Sequence, residues 1–342
     1  DDVGAFTGQL VRDGFPQPAS STGHDNYFAL KPPHTISLLP ILQNGLIMYT
    51  NEALTRPQKT KTGESAQIES ERKDLPMLES YATRFPNFAF ERRDGILEIR
   101  LHTNGGPLIF DERCHADFGE VFDLVGRDFS NRVIILTGTG SRFCADFNYA
   151  SFIDMYRKYG QEAGYAKVVA DGRRMLQAFV DLPVPVISAV NGLAHTHGDL
   201  PVLADVVLVS DDTEFRDAAH FIVGAVPGDG SQFVWAELLG QNAGRYFMLT
   251  GQRISAAEAK GLGFVGEVLS REALMPRAWE LAAELARQSD AVLRGTRYVL
   301  NSKWRNLFHD QFISGFAQEV IALYADPLPD SAPEHVDVAA IP

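Results

Sequence analysis

The stretch Asn191–Trp235, NGLAHTHGDLPVLADVVLVSDDTEFRDAAHFIVGAVPGDGSQFVW, carries three of the chain's nine histidines: His195, His197 and His220. A carboxylate, Asp229, sits inside the Pro-Gly-Asp-Gly turn that follows them. Apolar runs precede the stretch (VPVISAV) and cross it (VLADVVLV), so these polar groups fall where buried strands end. An ionisable side chain in such a place is costly unless it is paired or used. Imidazole titrates near neutrality and suits a general base. A carboxylate across a turn can orient the ring and stabilise its cation. The pattern therefore points to an active site for acid–base chemistry. The same four side chains could in principle hold zinc. Neither HExxH nor CxxC spacing occurs, so no metal is expected. Each residue also has a plainer reading. His220 could be a hydrogen-bonded core histidine, Asp229 a turn former and His197 a helix cap. His195 is the weakest candidate, because a buried histidine is more often structural.

The chain that must position these groups has 342 residues, enough for two domains or for one domain with an extension. It is 45% hydrophobic and 22% charged, ordinary for a globular protein with a sizeable core. A formal charge of −13 argues against nucleic acid or an anionic membrane as the main partner. Two cysteines, Cys114 and Cys144, make no disulfide framework and favour a reducing compartment. No run approaches the roughly 20 apolar residues of a membrane span. The acidic start, DDVGAFTGQL, has no apolar core of a signal peptide, so a cytoplasmic location is expected.

Residues 1–84 read as an extension rich in Pro, Ser and Thr, with one apolar patch at Ile36–Tyr49 and an exposed linker at Thr55–Lys73. The main domain is expected from Phe85, opening on a hairpin around Asp94-Gly95. VIILTG, VPVISAV and ADVVLVS read as buried strands. Helices are expected between them, including a long one over 151–182. TEFRDAA reads as an edge strand or turn, and Ser255 with Glu258 as a capping box. Three helices follow over 271–326, and a loose Pro-rich tail over 327–342. Alternating strands and helices give an α/β class. No GxGxxG follows the first strand and no GxxxxGK[ST] is present, so no dinucleotide or P-loop site is expected.

VIILTGTGSRFCADFN, VPVISAVNGLAHTHGDLPVLADVVLVSDDTEF, GAVPGDG and GRYFMLTGQRISAAEAKGLGFVGEVL together resemble the crotonase (enoyl-CoA hydratase/isomerase) superfamily. The resemblance covers about 85–326. It implies a crotonase-like spiral of ββα units over 85–270 and a C-terminal helical region that builds trimers or dimers of trimers. The departures from the usual pattern are informative. The small, Gly-rich loop after Asn-Gly is replaced by His195-Thr196-His197-Gly198-Asp199, and the usual catalytic glutamate before the Gly-x-x-Pro-Gly turn by His220. These features are similar to the β-diketone hydrolases of the 6-oxocamphor hydrolase kind. That resemblance implies hydrolysis of a C–C bond in a small cyclic β-diketone, without coenzyme A or any other cofactor. It places catalytic roles on His220, Asp229, His197 and Glu319. His220 would be the base, Asp229 its orienting partner, His197 the enolate-stabilising donor, and Glu319 would position water or shuttle the proton. A pocket tryptophan of those enzymes is replaced by Phe110, which cannot donate a hydrogen bond. Phe110 and His195 are thus the substrate-binding candidates. Two other readings remain open. One is a CoA-thioester hydratase, isomerase or hydrolase of the general crotonase kind. The other is a non-catalytic ligand-binding or scaffold trimer.

Overall fold

A computed structural model describes residues 77–325 and 330–341. The expectations for the extension up to residue 76, its apolar patch and its linker, lie outside the described residues. In chain order, Leu78–Tyr81 (α1) leads to the hairpin Phe88–Arg93 (β1) and Ile96–Leu101 (β2). Asp94 and Gly95 both adopt positive φ, 51° and 79°, as a two-residue hairpin turn requires. After Ile109–Phe110 (β3) comes Glu112–Arg127 (α2), which buries Cys114, Phe118, Val121 and Val125 at helical spacing. Then follow Val133–Thr137 (β4), Arg142–Cys144 (β5) and Asp146–Phe147 (β6). The single helix expected over 151–182 is two, Tyr149–Tyr159 (α3) and Gln161–Val180 (α4). Gly160 divides them at φ 80°, a conformation that ends a right-handed helix.

Val186–Val190 (β7), Leu193–Ala194 (β8), Asp199–Val202 (α5), Val206–Ser210 (β9) and Glu214–Phe215 (β10) build the centre. Ser231–Leu239 (α6) and Gln241–Thr250 (α7) end at Gly240 and Gly251. Ile254–Ser255 (β11) precedes Ala256–Leu262 (α8), where Ser255 and Glu258 form the expected capping box. Glu267–Leu269 (β12) and the helices Arg271–Leu285 (α9), Asp290–Leu300 (α10) and Ser302–Ala325 (α11) follow, then Val336–Asp337 (β13).

The main sheet runs β1-β2-β4-β7-β9-β12, parallel after the hairpin. β4 and β7 are buried at every position, which is why their sequences are unbroken apolar runs. One face packs on Leu274, Ala278 and Ala282 of α9, and the other joins the large core built on α2 and α4. Two small sheets, β11-β10-β8-β5 and β13-β6-β3, carry the loops that follow the main strands. This is the α/β architecture expected, with a helical C-terminal region.

Three expectations need correction. Glu214–Phe215 is no edge: β10 lies between β11 and β8. The core begins before Phe85, because Tyr81 is fully buried and donates to Asp128 Oδ2 at 3.0 Å. The tail is not loose over 330–341: β13 pairs with β6, and Arg142 holds Asp337 through two hydrogen bonds, 2.7 and 2.9 Å. Composition could not reveal that anchor, because its partners lie far upstream in the chain. Among the described residues no helix is long and apolar enough to cross a membrane.

Candidate active site

Three loops and one helix bring the polar residues together. His197 follows β8 at φ 47°, a left-handed conformation unusual for a residue with a side chain and enriched at functional sites. His220 lies beyond β10, just before the single turn Phe221–Val223. Asp229 sits in the turn ahead of α6, and Glu319 in the C-terminal half of α11. A Cβ on Gly228 would lie 2.3 Å from the Gly315 carbonyl oxygen, so only glycine lets this turn touch α11. That close approach sets Asp229 beside Glu319.

Asp229 Oδ2 stands 3.3 Å from His220 Nε2 and 3.7 Å from His197 Nδ1. Its other oxygen accepts from the Ser231 hydroxyl at 3.0 Å and the Ser231 amide at 3.3 Å. His220 Nδ1 meets Asp217 Oδ1 at 2.7 Å. The expected arrangement had Asp229 alone orienting His220. Two carboxylates contact that ring instead: Asp217, three residues upstream, meets Nδ1 while Asp229 faces Nε2. His197 Nδ1 also lies 3.6 Å from Asp199 Oδ1. Atoms of His220, Asp229 and Glu319 all come within 4.8 Å of one another.

Burial alone would lower the His220 pKa, but Asp217 and Asp229 outweigh it and hold the ring well above its usual value. His197 is raised too, against the same burial, by Asp199 and Asp229. Burial would raise Asp229, yet the two imidazoles pull it below the usual carboxylate range. Glu319 goes the other way: burial, then the charge of Asp229, pushes it up to about 8. At neutral pH the cavity thus holds one ionised and one protonated carboxyl.

These groups border a cavity of about 130 Å³, with Phe110, His115, Phe152, Thr196 and Phe316 among its walls. The Phe110 ring centroid lies 4.8 Å from that of His197. So His197, His220, Asp229, Glu319 and Phe110 converge on one space. His195 does not line it. That side chain is fully buried with Nε2 3.0 Å from Glu214, and burial lowers its pKa to about 4. Three participants escaped the sequence reading. His115 lies 6.1 Å from His197, ring to ring, with Nδ1 unpartnered among the described residues and a pKa lowered to about 3 by burial. Asp217 and Asp199 contact the histidines. A histidine on the apolar face of α2 was the available signal for His115, and the Asp-Ala-Ala-His spacing for Asp217. Cys144 packs into the core: its thiol is buried and burial pushes its pKa up. The trio His220, Asp229 and Glu319 has the spread of a cation site. Holding a cation there would require His220 and Glu319 each to give up a proton.

Residues 91–320 match the enoyl-CoA hydratase/isomerase family, and the chain belongs to it. It is a crotonase-superfamily enzyme. It is similar to a β-diketone hydrolase from the cyanobacterium Anabaena, solved bound to (S)-3-oxocyclohexyl acetic acid. That likeness has 40% identity and a TM-score of 0.68, over 71% of this chain and 96% of that one. An enoyl-CoA hydratase/isomerase from Mycobacterium paratuberculosis shares the fold at 22% identity and a TM-score of 0.64, over 73% of this chain and 94% of that one. Among curated relatives, a carnitinyl-CoA dehydratase of Proteus mirabilis is 34% identical over 60% of this chain and 77% of its own length.

Proposed function

We propose that the chain hydrolyses a C–C bond of a cyclic β-diketone, giving a keto acid without coenzyme A. The observation that carries this reading is the set of buried His220, Asp229 and Glu319 and partly buried His197 around one small cavity, with the pKa of Glu319 raised to about 8. The Anabaena β-diketone hydrolase supports it, since the molecule bound there is a keto acid.

Water loses a proton to the His220–Asp229 pair, which titrates as a unit, while its oxygen bonds to one carbonyl carbon. Asp217 fixes the ring and stabilises its cation. The tetrahedral adduct collapses, the C–C bond breaks, and its electron pair becomes the enolate of the second carbonyl. His197, whose pKa Asp199 and Asp229 raise, donates to the developing enolate oxygen. Neutral Glu319 delivers a proton to the enolate carbon and regains one from the His220–Asp229 pair. Water and diketone become one keto acid, with every proton returned.

The second reading is acyl-CoA chemistry, favoured by the carnitinyl-CoA dehydratase relatives. The two are separated by turnover. Loss of the ultraviolet absorbance of cyclic 1,3-diketones, absent in His220→Ala, supports hydrolysis. Turnover of enoyl-CoA or carnitinyl-CoA and of no diketone would replace it. A homo-trimer is part of the proposal: Tyr298, Val299, Leu300 and Ile321 are exposed on the last two helices. Light scattering of the purified chain tests it.

A further inference from the structure

A cavity of about 130 Å³ admits little more than one small ring, since a cavity of roughly 150 Å³ binds benzene. Beside it lies a second space of about 410 Å³, in the range that takes a drug-sized molecule. Phe147, Tyr149, Tyr156, Ala219, Ala225 and Leu323 line both, so the two spaces adjoin. The histidines and carboxyls all stand on the inner side, while Tyr149, Tyr156 and Tyr165 are the residues with polar side chains on the outer lining among the described residues. The outer chamber is walled by aliphatic and aromatic residues, with no carboxylate, lysine or arginine on its lining among the described residues.

Its far wall is the C-terminal strap, through Val336, Val338 and Ile341. The strap is built in. Val336 and Asp337 pair with Phe147 and Asp146 of β6, and the Val338 amide donates to the Ala145 carbonyl at 3.1 Å. Arg142 clamps Asp337, Arg253 donates to the Ala339 carbonyl at 2.8 Å, and Arg216 donates to the Ile341 carbonyl at 2.5 Å. Three arginines on the backbone and side chains of so short a segment hold its apolar residues against the chamber.

We propose that the substrate is a cyclic β-diketone bearing an uncharged hydrocarbon substituent, which lies in the outer chamber against Val336, Val338 and Ile341. The inference rests on the β-diketone reading and adds the class of substituent and the wall that selects it. An apolar chain gains about 0.8 kcal/mol per buried methylene, close to fourfold in kcat/KM at each carbon. An ionised tail of the same length gains nothing, because no charged group is there to receive it.

The test is kcat/KM for one cyclic 1,3-diketone carrying no substituent, alkyl tails of increasing length, and a carboxylate-ended tail. A rise of about three- to fourfold per methylene, and a loss for the carboxylate tail, is expected. Val338→Trp should flatten the chain-length dependence, and Ile341→Ala should move the best substrate to a longer tail. Turnover that ignores tail length in the wild type, or prefers the ionised tail, overturns the chamber and leaves the diketone reading intact. Turnover of no diketone at all removes both. Should Val338→Trp fail to fold, the Ile341→Ala shift decides: an unmoved optimum counts against the strap.

Discussion

Asp229 and Glu319 stand on the same cavity, one in a glycine-bound turn and the other on the C-terminal helix, and they differ in charge. Both are buried. Asp229 has His220, His197 and Ser231 around it and stays ionised far into acid. Glu319 has the apolar wall and the negative charge of Asp229 for company, and its pKa is raised to about 8. Burial alone therefore does not set a carboxyl's charge here; its partners do. The contrast is what the proposed reaction requires of its two acids, one as the base's partner and one as the proton donor.

Asp229→Asn is the severest challenge to that contrast. Without the negative charge beside Nε2, kcat for diketone hydrolysis should fall about 10³- to 10⁴-fold, with unchanged circular dichroism. His220→Ala should fall in the same range. A turnover within about threefold of wild type in either variant would discard the pair as the base. Glu319→Gln should cost about 10²-fold in kcat at neutral pH, since an amide has no proton to deliver.

The pH profile probes the same two acids. Activity should rise with pH as the raised His220–Asp229 pair sheds its proton. It should fall above about 8, as Glu319 ionises. In Glu319→Gln the residual rate should keep the rise and lose the fall; a fall that persists would place the acid elsewhere. Stability gives a subtler reading. Glu319 has a higher pKa folded than unfolded, so the unfolded chain binds fewer protons between about 4.5 and 8 and stability drops as pH rises through that window. Glu319→Gln should therefore gain more in Tm at pH 8 than at pH 5, and calorimetry at both values checks it. Least change is expected from His195→Gln. That ring turns to Glu214 and away from the cavity, so kcat should change by less than about threefold. A loss of about a hundredfold would return His195 to the site.

Much of the fold was legible because its signals are local. The Asp94-Gly95 turn, the Ser255–Glu258 box and the apolar runs of β4 and β7 each depend on neighbours in sequence. His197, His220 and Asp229 were legible as a set because they share one stretch between buried strands. Glu319 came only from the family resemblance; nothing in GFAQE marks it as buried. His115 and Asp217 were missed because each looks ordinary in its own segment, one on a helix face and one in a loop.

Residue types and their order were enough to establish an α/β chain and an imidazole–carboxylate set at strand ends. Packing in three dimensions was needed to say which nitrogen of His220 meets which acid, that burial and Asp229 raise the pKa of Glu319, and that the tail lines a chamber beside these groups. The reason is physical. Charge state and cavity shape depend on desolvation and on partners brought in from distant segments, and those distances exist only once the chain has packed.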